Sequence, residues 1–429
     1  MIIKAIPKQR KEVIMSLSSK LFKLIIVLVS IVMILTIVGP HVVLFIAKQP
    51  TPEKHEYSDS FCTTYDEVRE NLARRVDTLL ESGVEVISDA YAINEAEGLY
   101  IDNIYLPSTS ERTNLILITT GVHGMEGYIG SVMLDVFFDE IYPTLDTSDT
   151  GILVVANINP YGMKNMRRYN ENNVDLNRNF IEDWDSFDRT SNKDYPKVID
   201  FLQPTGEMGN AFWHEAGFYL SLAKEAVTTG AGTISDALLT GQYEYPDGVY
   251  YGGNGDEAST TYLKGVFSDC LDGEYENIVH LDIHSGYGPR YNMVIFNSVQ
   301  DPTTEAEAKS AFGYDYIIAT DSEDFYVTFG DTTDYFYRLA KSKDNGKSLY
   351  STCFEFGTIG DGFFDSILSL KYTVDENRQH WYPTSNTKTA EMVHQNYLEL
   401  FYPTETEWRL KAIADFKQAT FGVLNNKLQ

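Results

Sequence analysis

The stretches that decide the fold of this chain read NLILIT at 114–119, HGME at 123–126 and GILVVAN at 151–157. The first and third are short apolar runs of the kind that form strands buried on both faces of a sheet. The segment 127–140 between them predicts a helix, so the order strand, helix, strand indicates a parallel unit. The His-x-x-Glu motif then lies at the carboxyl end of the first strand, which is where open α/β sheets bind their ligands.

Further elements extend this unit in both directions. Apolar residues at helical spacing predict an amphipathic helix over 64–82. Two later segments, 277–284 and 347–354, read as strands that deliver a polar group at their far ends. Helices are also predicted over 213–226 and 389–401. The predicted fold class is α/β, with a mixed, mostly parallel twisted sheet sandwiched between helices.

An apolar stretch near the N-terminus predicts a membrane anchor. Leu24 to Ala47 spans 24 residues without a charged side chain, and about 20 apolar residues suffice to cross a bilayer core. Six basic residues precede it, so the positive-inside bias places the N-terminus in the cytoplasm and the body outside. The alternative is a cleaved signal peptide, which would secrete the body, but FIAK at 45–48 lacks the small-residue pattern of a cleavage site. We expect a single-pass protein of the cell membrane with an uncleaved signal anchor and an extracytoplasmic domain.

Composition divides the chain into four segments. A basic cytoplasmic segment is predicted at 1–23, the transmembrane signal anchor at 24–47, a linker at 48–60 and one catalytic domain at 61–429. Of the formal net charge of −28, the first 48 residues carry +6, from seven Lys and Arg and one acid, so the remainder carries −34. A body this acidic repels polyanions, and no nucleic-acid partner is expected.

Motifs of several other enzyme classes are missing from the sequence. It has no Gly-x-Ser-x-Gly elbow, which disfavours a serine hydrolase of the α/β type. It has no Gly-x-x-x-x-Gly-Lys-Ser/Thr loop, so nucleotide hydrolysis through a P-loop has no support. Its three cysteines are too few for a disulfide scaffold or a cysteine-based zinc module.

Three separated fragments fit one metal site. A histidine and a glutamate three residues apart on a turn, such as His123 and Glu126, can reach the same ion. A second histidine would leave a tetrahedral Zn²⁺ one open position for water, and a further carboxylate such as Glu355 could deprotonate that water. The motif alone has a simpler interpretation, a helix start with Glu126 near the positive end of the helix dipole.

The strand at 277–284 supplies the second histidine. Along a strand His280, Asp282 and His284 point to one face, and the last of them leaves the strand end beside the loop that follows. Using His280 and His284 together as ligands would require them to span about 13 Å along the strand, too far for one ion. His280 is therefore predicted to be a core residue and Asp282 an orienting group.

Between these fragments lies a segment rich in asparagine and arginine, RRYNENNVDLNRNF at 167–180. Guanidinium groups with neighbouring amides are what a site needs to hold a carboxylate through two hydrogen bonds. The alternative is a loop whose Asn and Asp side chains bind their own backbone.

Taken in order, these motifs resemble the carboxypeptidase A-like zinc peptidase superfamily. The matching pieces are His-x-x-Glu, an Asn-Pro-x-Gly turn at 159–162, Asp-x-Asn-Arg-Asn at 175–179, Asp-x-His-Ser at 282–285 and a late Phe-Glu at 354–355. The chain looks closest to a bacterial branch of that superfamily, with succinylglutamate desuccinylase and aspartoacylase as relatives. The similarity covers the chain from about Tyr57 onward.

The resemblance implies a role for each matching residue. One zinc ion per chain would be bound by His123, Glu126 and His284. The catalytic residues would be Glu355, as general base and later acid, and Arg168, as partner of the developing oxyanion. Asn177, Arg178 and Arg167 would bind the substrate, and Asn177 and Arg178 would contact its terminal carboxylate. Asp175 and Asp282 would orient the residues that bind the metal.

The function implied is a zinc metallocarboxypeptidase that removes C-terminal residues from peptides. A second hypothesis keeps the chemistry and changes the substrate to an N-acyl amino acid, because the arginine pair follows Gly162 by only five and six residues, as in the aspartoacylase relatives. A third is an inactive module that binds a carboxylate ligand, although such a module would need no general base. In all three, the expected ligand carries a free carboxylate.

Overall fold

The computed structural model describes residues 54–322 and 328–428. The predicted segments 1–23 and 24–47, with the first part of the linker, lie outside these ranges. Within the described ranges, no helix combines the length and the apolar composition that a membrane span needs.

A mixed sheet of eight strands forms the centre of the described domain. Side by side, the strands follow the order first, second, fourth, third, fifth, eighth, sixth and seventh. Numbered along the chain they are β1 (Ile87–Asn94), β2 (Leu99–Leu106), β3 (Asn114–Thr120), β4 (Thr150–Ala156), β5 (Asn277–Ser285), β6 (Met293–Asn297), β7 (Ile317–Ile318) and β8 (Ser348–Phe356).

The centre of this sheet is parallel and its flanks contain the antiparallel pairs. β4, β3, β5 and β8 run parallel, whereas β1 with β2, β2 with β4 and β6 with β8 are antiparallel. Every residue of β3 and β5 is buried, as expected for strands covered on both faces. In the register of β5 against β8, His284 lies opposite Glu355, which sets two predicted site residues side by side.

Helices cover both faces of the sheet. Those that the structure describes are α1 (Tyr65–Glu81), α2 (Gly127–Val136), α3 (Pro160–Lys164), α4 (Tyr195–Leu202), α5 (Ala211–Glu225), α6 (Ala231–Leu239), α7 (Ala258–Asp272), α8 (Glu305–Phe312), α9 (Thr332–Lys343), α10 (Phe363–Trp381), α11 (Thr387–Phe401) and α12 (Thr406–Lys427).

Alternate residues of β3 contribute to two different apolar cores. Ile116 and Ile118 belong to the larger core, which also contains side chains of α1, α2 and α12. Leu115 and Leu117 belong to the core on the other face, together with side chains of α7 and α9. The sheet is thus the middle layer of an α/β sandwich, the arrangement that the apolar runs predict.

Two details of the helices bear on the site. α2 ends before the predicted position, at Val136, and continues as one π-helical turn over Phe137–Ile141. The segment 182–257, which we call the insertion, contains α4, α5 and α6. It packs on α10 through a third apolar cluster that includes Leu370 and Val374.

Candidate active site

The His-x-x-Glu motif lies where the chain leaves β3. Gly121 has a φ of 74°, and His123 then precedes the 3-10 turn Gly124–Glu126 that leads into α2. A Cβ atom on Gly124 would lie 2.2 Å from the carbonyl carbon of Gly162. Only glycine therefore fits at this position, and the Asn-Pro-x-Gly turn packs directly against the turn that carries Glu126.

His123, Glu126 and His284 meet as three buried side chains, which we call the triad. His123 Nδ1 lies 2.8 Å from Glu126 Oε1, and His284 Nδ1 lies 2.9 Å from Glu126 Oε2. The two Nδ1 atoms are 3.3 Å apart, and one possible ligand atom from each residue lies within 4.8 Å of the others. The backbone N–H of Ser285 donates to Glu126 Oε2 at 3.0 Å.

An aspartate holds the opposite nitrogen of each imidazole. His123 Nε2 donates to Asp175 and His284 Nε2 donates to Asp282, both over 2.9 Å. Because a carboxylate accepts, Nε2 carries the hydrogen, and in a neutral ring Nδ1 is then an acceptor. Two such acceptors and the Glu126 carboxylate face one another, so positive charge is required between them, either as protons or as a metal cation.

The pKa shifts of the triad reflect the same requirement. Burial alone would raise the pKa of Glu126, but the charge and hydrogen bonds of His123 and His284 hold it below its ordinary value. Burial alone would lower the pKa of His284, but the carboxylates of Asp282 and Glu126 hold it well above its ordinary value. Two imidazole nitrogens and a carboxylate with aspartate support fit a zinc ion with one open position.

Arg168 and Asp175 form the wall beside His123. Arg168 Nε donates to Asp175 at 2.9 Å, and its Nη1 donates to Glu126 Oε1 at 3.3 Å. Burial opposes ionisation of Asp175, yet Arg168 and His123 hold its pKa well below the ordinary value. In the described ranges no hydrogen bond uses Arg168 Nη2, and the side chain lines the cleft. One arm of the guanidinium is therefore available to a ligand.

A buried polar chain across three strands orients Asp282. Thr119 on β3 donates to Asp282 at 2.6 Å and accepts from His280 Nε2 at 2.8 Å. Ser351 on β8 lies 2.7 Å from the other nitrogen of His280. Burial lowers the pKa of His280 to about 4, so this histidine is neutral near pH 7. It lies in the core behind the site, as the strand spacing predicts.

Glu355 reaches the cleft from β8. Its Oε1 accepts the backbone N–H of Tyr287 at 3.0 Å, and the half-buried carboxylate lines the same cavity as His123 and His284. Burial and the negative charge of Glu126 raise the pKa of Glu355 to about 7, with His284 opposing them. A carboxyl group whose pKa lies near neutrality is suited to accept a proton and return it.

The cleft in front of the triad has a cavity volume of about 540 Å³. It runs between the carboxyl ends of the central strands, the insertion and the helices α9 and α10. Its lining includes, besides the site residues above, Ser235 and Leu238 of the insertion, Asn297 and Ser298 at the end of β6, Asp331 and Thr333 at α9, and Ser366, Ser369 and Thr373 of α10.

Asn177 and Arg178 present hydrogen-bond donors to this cleft. Asn177 Oδ1 accepts from the backbone N–H and the hydroxyl of Thr332, at 2.9 and 2.6 Å, and no described residue binds its amide NH₂, which is left for a ligand. Arg178 Nη1 donates to the Asn177 carbonyl at 2.8 Å. Arg178 Nε is buried and has no hydrogen-bond partner in the described part of the chain, as expected for a donor that awaits an anion.

Arg167 is the predicted substrate-binding residue that the structure does not bring to the cleft. Its Nε donates to Glu376 of α10 at 2.7 Å, and its Nη2 donates to Asn173 at 2.9 Å. The side chain is buried and is not part of the cavity lining. We therefore correct its assignment. Arg167 attaches the segment 167–180, which we call the arginine-rich loop, to α10, because its guanidinium pairs with the Glu376 carboxylate there.

Two tyrosines of the cleft were not found from the sequence. Tyr250 of the insertion lies with its ring centre 5.6 Å from the Arg168 guanidinium carbon. Tyr287 is 41% exposed and lines the cleft beside Glu355. The position of Tyr287 just after the Asp-x-His-Ser motif was a signal for it, whereas nothing in the local sequence marks Tyr250.

Known structures of similar shape include carboxypeptidases. Carboxypeptidase A from Helicoverpa armigera is 14% identical, with 82% of this chain and 77% of that chain covered and a TM-score of 0.40. Bovine thrombin-activatable fibrinolysis inhibitor, bound to tick carboxypeptidase inhibitor, is 15% identical, with 80% of this chain and 97% of that chain covered and a TM-score of 0.42. A metallo-carboxypeptidase from Pseudomonas aeruginosa is 12% identical, with 84% of this chain and 70% of that chain covered and a TM-score of 0.38.

Family models give a match over most of the domain, whereas no curated protein matches the chain significantly. The matching model is described as "Protein of unknown function (DUF2817)" and covers residues 61–415. These residues include the triad, Glu355, the arginine-rich loop and the whole sheet. The chain therefore belongs to the DUF2817 family.

Proposed function

We propose that this protein is a zinc-dependent metallocarboxypeptidase, which removes C-terminal residues from peptides. One observation carries the proposal: the triad presents three buried acceptor groups to one point, and Glu355 opens into the same cleft with a pKa raised to about 7. A structural ion-pair cluster would need no additional carboxylate facing the cavity. A hydrolytic site needs one to manage the proton of water.

Each side chain then has a task at a stated atom. A bound zinc ion would acidify a water molecule and polarise the carbonyl of the substrate. Glu355 accepts the proton of the attacking water and delivers it to the departing amine. Arg168 donates from Nη2 to the carbonyl oxygen as negative charge develops there, and Asp175 keeps the guanidinium in place.

The proposed carboxypeptidase specificity rests on the hydrogen-bond donors of Asn177 and Arg178, which line the same cleft. The unpartnered Nε of Arg178 and the amide of Asn177 are suited to a terminal carboxylate. An N-acyl amino acid also offers such a carboxylate, so the alternative of a deacylase differs only in what lies on the acyl side. The cavity of about 540 Å³ is large enough for more than one residue of a peptide.

We further propose that the protein acts outside the cytoplasm, held to the membrane by the apolar stretch at 24–47. The basic residues before that stretch and the acidic body after it support this orientation. Its partners would be peptides or acyl amino acids with a free carboxylate, and the acidic body excludes nucleic acid.

The test combines metal analysis with a substrate series. The full chain is assayed for zinc content and for hydrolysis of peptides of two to six residues and of N-acyl amino acids, with and without a chelator. Chelator-sensitive release of C-terminal residues from the longer peptides would support the proposal. Cleavage of acyl amino acids alone would replace it with the deacylase. A chain that binds no metal even after zinc is added would overturn both.

A further inference from the structure

Four large apolar side chains are exposed on α5 and on the π-helical turn that follows it. Trp213, Leu220 and Val227 are 73%, 55% and 87% exposed. They follow one another at intervals of seven residues, so on a helix they lie on one stripe. Phe212, 61% exposed, packs edge-on against Trp213 with ring centres 5.1 Å apart. We call these four side chains the insertion face.

The opposite side of the same helix is buried and firmly attached. Phe218 and Tyr219 belong to the apolar cluster under the insertion. Glu215 forms an ion pair with the buried Lys371 of α10 at 2.5 Å. α5 therefore buries one side and leaves Phe212, Trp213 and Leu220 exposed on the other. Large exposed apolar side chains grouped on one side of a helix are typical of a surface that binds a partner.

Charge indicates which partner fits. The 29 residues from 211 to 239 contain one lysine and three acids, and one of those acids is the buried Glu215. Outside the N-terminal 48 residues the chain carries −34, which repels anionic lipid headgroups. The insertion face is a weakly charged surface on which the body could approach a bilayer, and exposed Trp and Phe are suited to the boundary between lipid and water.

The tether from the proposed anchor is short, so it keeps the body close to the bilayer. Six residues, 48–53, separate the apolar stretch from the first described residue, and they span at most about 20 Å. The chain enters the domain beside Phe61, which stacks on Tyr402 just past the end of α11. At the other end of α11, about 22 Å away, Thr389 donates to the carbonyl of Gly209, two residues before α5 begins. One helix length therefore separates the tether from the insertion face.

We propose that the insertion face lies on the lipid bilayer in which the 24–47 segment is anchored. This inference rests on the membrane attachment proposed above. Because the other side of the insertion lines the cleft through Ser235 and Leu238, docking would hold the cleft at the membrane surface. The ligand of the face is the headgroup boundary of an uncharged bilayer.

The test uses the full chain in phosphatidylcholine vesicles, with an environment-sensitive fluorophore on a cysteine placed at Leu220→Cys. Lipids that carry a nitroxide near the headgroup then quench a label that touches the bilayer. Leu80→Cys is the matched control, because Leu80 is 49% exposed at the far end of α1. The unsubstituted chain, treated with the same reagent, gives the background from the native cysteines. We expect at least twofold stronger quenching at position 220 than at position 80.

Several results would overturn the proposal. Equal quenching at positions 220 and 80 would mean that the insertion face does not touch lipid. A label at 220 that is shielded from water, is not quenched by lipid and depends on protein density would show that a second copy of the chain covers the face. A further variant, Leu35→Cys, tests the membrane anchor separately from the insertion face. A label that is quenched at position 35 but not at position 220 would support the anchor and contradict the lipid contact of the insertion face. Labels that are quenched at neither position would contradict both.

Discussion

Two buried clusters of histidine and carboxylate in this protein differ in what occupies their centre. On α10, Lys371 places its ammonium 2.5 Å from both Glu215 and Asp375, and His214 donates to Asp375 at 2.7 Å. In the triad, the two imidazole Nδ1 atoms face each other at 3.3 Å. The first cluster carries its own cation, whereas the second requires one from outside. Buried charge therefore indicates a functional site only where the protein leaves it uncompensated.

The largest expected effect separates the histidines of the two clusters. His284→Ala should lose the zinc ion and reduce hydrolysis to background, because it removes one of three ligands. His214→Ala should keep the metal and the activity and lose about 1–3 kcal/mol of unfolding free energy, because it removes a buried hydrogen bond. Metal analysis, an activity assay and urea unfolding of both variants check this. Loss of zinc in the His214 variant would make the two clusters equivalent.

Glu355→Gln should retain zinc and substrate affinity while kcat falls by about 10²–10⁴-fold, the usual contribution of a general base. The amide keeps the shape of the side chain and can no longer accept the proton. Metal content and single-turnover kinetics measure the two properties independently. If the Gln variant kept near-normal turnover, Glu355 would be a passive member of the cleft.

Lys371→Met should destabilise the fold by about 3–5 kcal/mol, because it leaves two buried carboxylates without their cation. Zinc affinity should change little, since the substitution lies outside the triad. Chemical denaturation with and without metal tests this. A variant with wild-type stability would imply that Glu215 and Asp375 become protonated without a loss of unfolding free energy. The contrast with the triad would then weaken.

Arg178→Gln should raise KM for peptides by about 10–100-fold, with kcat less affected, because a hydrogen bond to a charged group contributes about 1.5–3 kcal/mol. Arg167→Gln is the matched control in the same loop, since Arg167 faces α10, and its effect should appear in stability. Steady-state kinetics on one peptide series compares them. A larger KM change in the Arg167 variant would return that residue to the substrate site.

The smallest expected effect is in the pH profile. The pKa of Glu355 is raised to about 7 by burial and by the charge of Glu126, and a bound cation would lower it from there. As the pH falls through this pKa the base becomes protonated, so kcat/KM should fall about tenfold per pH unit on the acidic side. This acidic limb of the kcat/KM profile should shift to higher pH when zinc is replaced by a metal ion that is less acidifying. An acidic limb unchanged in Glu355→Gln would assign it to another group.

The parts of the fold that the sequence predicts include strands buried on both faces and the amphipathic helix over 64–82, which the structure contains as α1. The runs at 114–119 and 277–284 appear as β3 and β5 with at most one residue added at an end. β1 was not predicted because five of its eight residues are exposed, which leaves no alternation to detect. β7 was not predicted because it has only two residues, Ile317 and Ile318.

α10 shows a different reason for failure. Its burial follows hydrophobicity only in part: Leu370 and Val374 are buried, but so are Lys371 and Asp375, whereas Phe363 and Phe364 are exposed. A search for apolar periodicity does not recognise such a helix. Its buried charges are satisfied by side chains of α5, far away in sequence, so the information that places them is tertiary.

For the site, the residue types and their order were sufficient to predict the triad and Glu355 as candidates. The direction in which each side chain points could not be predicted in this way. Arg167 and Arg168 are neighbours, yet one points to Glu376 of α10 and the other to Asp175. The choice depends on a carboxylate 209 residues further along the chain, and no local pattern reports it.

The place of β8 in the sheet has a consequence for the order of assembly during synthesis. β8 is the last strand of the described chain, yet it lies between β5 and β6. Until the ribosome has passed residue 356, β6 and β7 have no strand to join and the sheet stops at β5. The histidines of the triad are by then long translated, but the wall that carries Glu355 is missing. Under the proposed function, the metal ligands are therefore made well before the general base, and hydrolysis requires the final strand and also α10, which follows that strand and lines the cleft.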